Sequence, residues 1–176
     1  MRVIFCGSRW REGSVDQFSL FKQIADNYLL DVEDLNDNEI DNPDQRIEML
    51  VDRIKHVAEQ DEVILVGEDQ GGYVALVAAE LVHPLMIRGI FLLRPSISMP
   101  EYAHKDYKAN LKNIDIVLDW SESDTSVSNE NAITYAGKAK ARLLAMNFRE
   151  ECDYHTEEDI SEKLGDIFEE FLRRAS

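Results

Sequence analysis

The sequence predicts a doubly wound α/β domain with a mainly parallel six-stranded sheet and helices on both faces. Three observations carry this. Short apolar runs alternate with longer runs of helical period along the chain. The short runs are apolar throughout, as strands covered on both faces must be. One of them passes through a glycine-rich turn directly into an alanine-rich helix. Strand–helix alternation of this kind implies right-handed crossovers and a single layered unit spanning residues 1–176.

The elements follow in order. Strands are expected at Arg2–Cys6, Tyr28–Glu33, Glu62–Val66, Ile87–Leu93, Ile114–Leu118 and Arg142–Asn147. Helices are expected near Gln17–Asn27, Asp44–Glu59, Gly71–Val82, Asn129–Ala139 and Glu157–Arg173. In the second helix Ile47, Leu50, Val51, Ile54, Val57 and Ala58 form one stripe behind Pro43, which suits a first helical position because its missing N–H has no partner there to lose. The last helix repeats the stripe with Ile160, Leu164, Ile167, Phe168 and Phe171. It begins acidic and ends in Arg173 and Arg174, in the sense of the helix dipole. Residues Pro95–Lys112, with two prolines and two tyrosines, break the rhythm and read as an irregular excursion.

Composition bounds the function. Hydrophobic residues make up 44% of the 176 and charged residues 31%, the balance of a globular protein with one core. The 35 acidic and 19 basic side chains leave a formal charge of −16, which repels phosphate backbones and anionic lipid. Nucleic acid and membrane surfaces are therefore not expected partners, and a small-molecule substrate or ligand is. No run reaches the roughly 20 apolar residues of a membrane span, and the opening residues read as a strand, not a signal peptide. Cys6 and Cys152 have no metal or redox spacing and read as reduced thiols of a cytoplasmic protein. Neither a metal nor a cofactor is expected, and oligomeric state is not legible.

The densest chemical signal is Glu62-Val63-Ile64-Leu65-Val66-Gly67-Glu68-Asp69-Gln70-Gly71-Gly72-Tyr73, followed by Val74-Ala75-Leu76-Val77-Ala78-Ala79. A strand running through Gly-x-Asp-x-Gly-Gly into a helix matches a nucleophile elbow, whose central residue occupies a strained turn with no room for neighbouring side chains. A generic glycine-rich strand–helix turn is the plainer reading of the same letters.

On these residues the chain resembles the α/β-hydrolase superfamily, with Asp69 in the place usually held by serine. It is most similar in size to the compact, cap-less, serine-using members of the retinoblastoma-binding-protein type. Aspartate at this place resembles the epoxide hydrolases and haloalkane dehalogenases. The resemblance implies a minimal α/β-hydrolase fold and an Asp-His-Asp triad in the order Asp69, Asp124, His155. Asp124 lies in the acidic loop after the fifth strand, with Glu122 as the alternative acid, and His155 lies just before the last helix. It further implies an oxyanion hole from the backbone N–H groups of Gln70 and Ser8, and a substrate pocket taking in Arg9, Trp10, Arg94 and Tyr102. Trp10 equally reads as a surface aromatic, and Arg94 as half of a salt bridge. Gln70 stands where dehalogenases carry a halide-holding tryptophan, and Tyr102 and Tyr107 are the tyrosines available to act on an epoxide.

Of the remaining histidines, His56 reads as a solvent-edge helix residue, His83 as a helix C-terminal cap and His104 as a residue of the irregular region. Three readings of function stand: a hydrolase working through Asp69, a catalytically inactive binding protein of the same fold, and a flavodoxin-like or receiver-like module in which Asp69 is a turn residue.

Overall fold

Six parallel strands form one sheet in a computed structural model that describes residues 1–7, 17–35, 40–96, 111–119, 127–146 and 157–176. The strands are β1 (Arg2–Cys6), β2 (Asp31–Asp34), β3 (Val63–Glu68), β4 (Ile87–Leu93), β5 (Ile114–Asp119) and β6 (Arg142–Met146). The helices are α1 (Gln17–Asn27), α2 (Pro43–Val57), α3 (Gln70–Leu81), α4 (Val127–Ala139) and α5 (Glu157–Ala175), with a short 3₁₀ turn at Pro84–Met86. Strand order is β2-β1-β3-β4-β5-β6, every neighbouring pair parallel. The first connection winds toward β2 and the later ones the opposite way, so the order reverses between β1 and β3. Ligands of open α/β sheets bind in the crevice beyond the strand ends at such a reversal.

Alternation along the strands divides the core into two layers. Ile4, Leu65, Leu92 and Ile116 pack with Leu50 and Ile54 of α2, Val74 and Ala78 of α3 and Tyr135 of α4. Val3, Val66, Phe91 and Val117 point the other way, onto Phe21 of α1 and Leu164, Phe168 and Phe171 of α5. Rings of Phe21 and Phe168 lie 4.5 Å apart, and those of Phe91 and Phe168 5.1 Å, within the range where edge-to-face pairs add to simple burial.

Local chemistry sets the helix boundaries. The Asn42 side chain accepts a hydrogen bond from the Asp44 N–H at 2.9 Å, and Pro43 takes the first helical position of α2. At the end of α1, Leu29 adopts a left-handed φ of 56° and donates its N–H to the carbonyl of Asp26. That reversal moves the start of β2 to Asp31, so the strand expected from Tyr28 is shorter than its apolar run. The expected cap role of His83 is also corrected: its Nδ1 accepts from the Leu85 N–H and starts the 3₁₀ turn, instead of ending α3. His56 is exposed, as expected.

Strand β2 forms a polar edge, Asp-Val-Glu-Asp, which discourages pairing with another chain. Arg53 of α2 holds Glu33 of this strand through two 2.6 Å hydrogen bonds. At the opposite end of the sheet from the strand-order crevice, Asp115 of β5 is buried against α5, where Arg174 donates to it and Arg142 lies at 4.0 Å. Burial pushes the Asp115 carboxyl above its ordinary range despite both arginines.

Candidate active site

Strand β3 ends at Glu68 and α3 begins at Gln70, leaving Asp69 alone to make the turn. Its backbone has φ 49° and ψ −115°, a combination that L-residues rarely adopt and that costs about 1–3 kcal/mol. Backbone hydrogen bonds hold it there. The Asp69 N–H donates to the Leu93 carbonyl at 3.0 Å, and the Asp69 carbonyl accepts from Ser96 at 2.9 Å and from Gly72 at 3.1 Å. Its carboxylate makes no capping bond to α3, although aspartate is a preferred capping residue.

The glycines around this turn are there for space. A Cβ on Gly71 would lie 2.0 Å from the carbonyl oxygen of Cys6, one on Gly67 2.6 Å from the Cα of Gly72, and one on Gly72 2.8 Å from the Cβ of Pro95. The start of α3 is thus pressed onto the ends of β1 and β3 and onto the segment leaving β4. Gln70 opens α3, so its backbone N–H belongs to the first turn, whose donors have no acceptor within the helix. Such a group can receive a developing oxyanion.

Charge is arranged closely about the elbow. Arg94, directly after β4, donates from Nη2 to Glu68 at 2.7 Å, and its Nε lies 3.9 Å from Oδ1 of Asp69. All three side chains are largely enclosed, with Asp69 the most exposed at 20%. On the other side, the buried Arg46 of α2 donates from Nη2 to the Gly7 carbonyl at 3.0 Å, tying α2 to the segment that leaves β1. A cavity of about 280 Å³ opens there, lined by Asp41, Pro43, Arg46, Gln70, Tyr73, Val74 and Ser96. It lies near the lower end of the size range for small-molecule pockets.

The residues expected from sequence divide cleanly. Asp69 and Gln70 occupy the elbow, and Arg94 stands beside them in a salt bridge. Asp124 and Glu122 fall in the connection from β5 to α4, and His155 in that from β6 to α5. These three lie outside the described residues, as do Ser8, Arg9, Trp10, Tyr102, His104, Tyr107 and Cys152. Two charged residues of the site escaped the sequence reading. Glu68 was hidden as the variable letter of the elbow motif. Arg46 was not singled out, although its place four residues before Leu50 puts it on the buried face of α2. Among the described residues no group of three or more His, Cys, Asp or Glu side chains could hold a metal ion, and no helix is long and apolar enough to cross a membrane.

This strand order, with a strained elbow at the reversal, defines the class: the chain has the α/β-hydrolase fold, in a minimal six-stranded form. Solved structures agree. A candidate hydrolase of the alpha/beta superfamily from Xanthomonas campestris pv. campestris is similar over 98% of both chains, with a TM-score of 0.73 and 19% identity. The ydeN gene product of B. subtilis is similar over 98% of both chains, with a TM-score of 0.65 and 16% identity. Est1E from Butyrivibrio proteoclasticus is similar over 98% of this chain and 88% of its own, with a TM-score of 0.65 and 14% identity. No family model matches the sequence, and no curated protein matches it. With six strands and this elbow, the flavodoxin-like or receiver-like alternative gives way, since the flavodoxin-type order stops at five strands.

Proposed function

We propose that this chain is a hydrolase that uses Asp69 as a carboxylate nucleophile on a small neutral molecule, in a cytoplasmic setting. The observation that carries the reading is the backbone of Asp69. A strained φ, ψ pair kept by backbone hydrogen bonds and three space-making glycines has no use in a plain turn. The likeness of fold to hydrolases supports it, though fold alone does not give function.

In the proposed reaction a carboxylate oxygen of Asp69 bonds to a saturated carbon of the substrate, and the carbon–oxygen bond of an epoxide or the carbon–halogen bond of a halide breaks. The leaving atom takes the electron pair, as an alkoxide that is then protonated or as halide. His155, oriented by Asp124, removes a proton from water, whose oxygen attacks the carbonyl carbon of the new ester. Breakdown of that intermediate releases an alcohol and restores the carboxylate with one oxygen from water. The backbone N–H of Gln70, with that of Ser8, is placed in this scheme to receive the oxyanion of the second step. Esters and amides suit this nucleophile poorly, because carboxylate attack on an acyl carbon would give an anhydride. Turnover of a panel of small epoxides and alkyl halides in heavy-oxygen water is expected to place the label in Asp69, read by peptide mass. An active preparation with Asp69 unlabelled would overturn the reading.

One observation favours a second reading, a non-catalytic binding protein. Among the described residues lining the cavity, Gln70 and not Asp69 represents the elbow. This reading expects the same panel to go unturned while a ligand binds equally to the native and Asp69→Ala proteins.

A further inference from the structure

Two charged residues flank the nucleophile, and the role proposed for them rests on the reading of Asp69 as a reacting carboxylate. Asp69 and Arg94 are both non-glycine residues at left-handed φ, 49° and 47°, each immediately after a strand end, on the paired strands β3 and β4. Their backbones interlock. The Asp69 N–H reaches the carbonyl of Leu93, just before Arg94, and the Ser96 N–H, just after it in the same segment, reaches back to the Asp69 carbonyl. Arg94 itself is pinned by its N–H on the Val117 carbonyl of β5 at 2.7 Å. The turn that strains Arg94 thus aims its side chain back across β3. There Nη2 meets Glu68 at 2.7 Å and Nε stands 3.9 Å from Asp69 Oδ1.

That second separation is an ion-pair distance and too long for a hydrogen bond. Arg94 therefore tethers Asp69 without taking up a lone pair of its oxygen in a direct bond, and a nucleophile needs that lone pair. Glu68 takes the Nη2 end of the guanidinium. Enclosed with only 8% of its side chain exposed, it engages Nη2 at charge-assisted hydrogen-bond distance and holds the fork in place.

The geometry points to Glu68 and Arg94 as positioning residues for the Asp69 carboxylate, Arg94 orienting it and Glu68 holding Arg94 at arm's length. The arrangement separates orientation from neutralisation. A guanidinium in full bidentate contact would fix the carboxylate but quench it as a nucleophile.

The test reads the Asp69 side chain directly in the full-length protein. Three-bond couplings to the Asp69 carboxyl carbon, in protein labelled with ¹³C and ¹⁵N, report whether χ1 occupies one rotamer. In parallel, the rate at which 1,2-epoxy-3-(4-nitrophenoxy)propane esterifies Asp69 is followed by mass spectrometry. The native protein is expected to show one rotamer. Arg94→Met is expected to average the couplings and slow esterification by roughly tenfold or more, because small misplacements of a reacting group cost this much. Arg94→Lys, which keeps the charge without the fork, is expected to recover only part of the rate. Glu68→Gln is expected to keep one rotamer but slow esterification, as Arg94 closes on Asp69. Couplings unchanged in Arg94→Met, or an esterification rate unchanged in Glu68→Gln, would overturn the proposal. Where Arg94→Met fails to fold, the rate in Glu68→Gln decides. Failure of the nucleophile reading looks different: the native protein then resists the epoxide, while the couplings still decide whether Arg94 orients Asp69.

Discussion

Replacing Asp69 by glycine should make the protein more stable than replacing it by alanine, the reverse of what these residues do at most positions. Both changes remove the carboxylate and its 3.9 Å contact with Arg94, so that loss cancels in the comparison. What remains is the backbone. At φ 49° and ψ −115° an alanine keeps a strain of about 1–3 kcal/mol that glycine does not feel. Against this, glycine gives up about 0.5–1 kcal/mol through its freer unfolded chain. The net advantage of Asp69→Gly is therefore about 1 kcal/mol. For a chain of 176 residues that corresponds to roughly 2–4 °C in Tm. Urea unfolding at neutral pH, with thermal melts alongside, measures both. The exposed Glu130 of α4 supplies the control, where the glycine form should be the less stable by about 1 kcal/mol. If Asp69→Ala proves as stable as Asp69→Gly, the turn is not strained and the main argument for a functional elbow fails.

Two further outcomes follow from the packing around the sheet. Gly71→Ala should abolish the native elbow or cost about 3 kcal/mol or more, since its Cβ would meet backbone at 2.0 Å, where no side chain can swing aside; a soluble variant with native urea midpoint would refute this. Asp115→Asn tests the buried carboxyl of β5. Burial raises its folded pKa above the unfolded value, so whatever stability it brings is complete below the unfolded pKa and is lost as pH rises through the folded one. The unfolding free energy of Asp115→Asn relative to the native protein should thus improve between pH 3 and pH 7, and a difference that shrinks over that range would contradict the assignment.

Most of the architecture was legible because the signals that specify it are local. The boundaries of β1, β4 and α1 match the sequence expectation residue for residue, since the apolar period and the flanking residues coincide there. The start of β2 did not, because Leu29 is apolar yet 94% exposed in a left-handed turn, which hydrophobic patterning cannot register. At the site, Asp69 and its glycines were legible because close backbone approach leaves a glycine signature. The role of Glu68 was not, since its partner Arg94 lies 26 residues on and meets it only through the pairing of β3 with β4. Arg46 reads as an ordinary helix charge until the carbonyl of Gly7 is seen to receive it.

The hydrogen bonds from Asp69 to Leu93 and from Ser96 to Asp69 have a consequence for how the site comes into being. A strained turn cannot persist by itself, so the elbow acquires its shape only once β4 has docked beside β3. During synthesis the strained turn cannot form while β4 is still inside the ribosome, because the residues up to Met86 lack its partners. Amide exchange at Asp69 and Ser96 should therefore track the separation of these two strands, coupling the shape of the elbow to the integrity of the middle of the sheet.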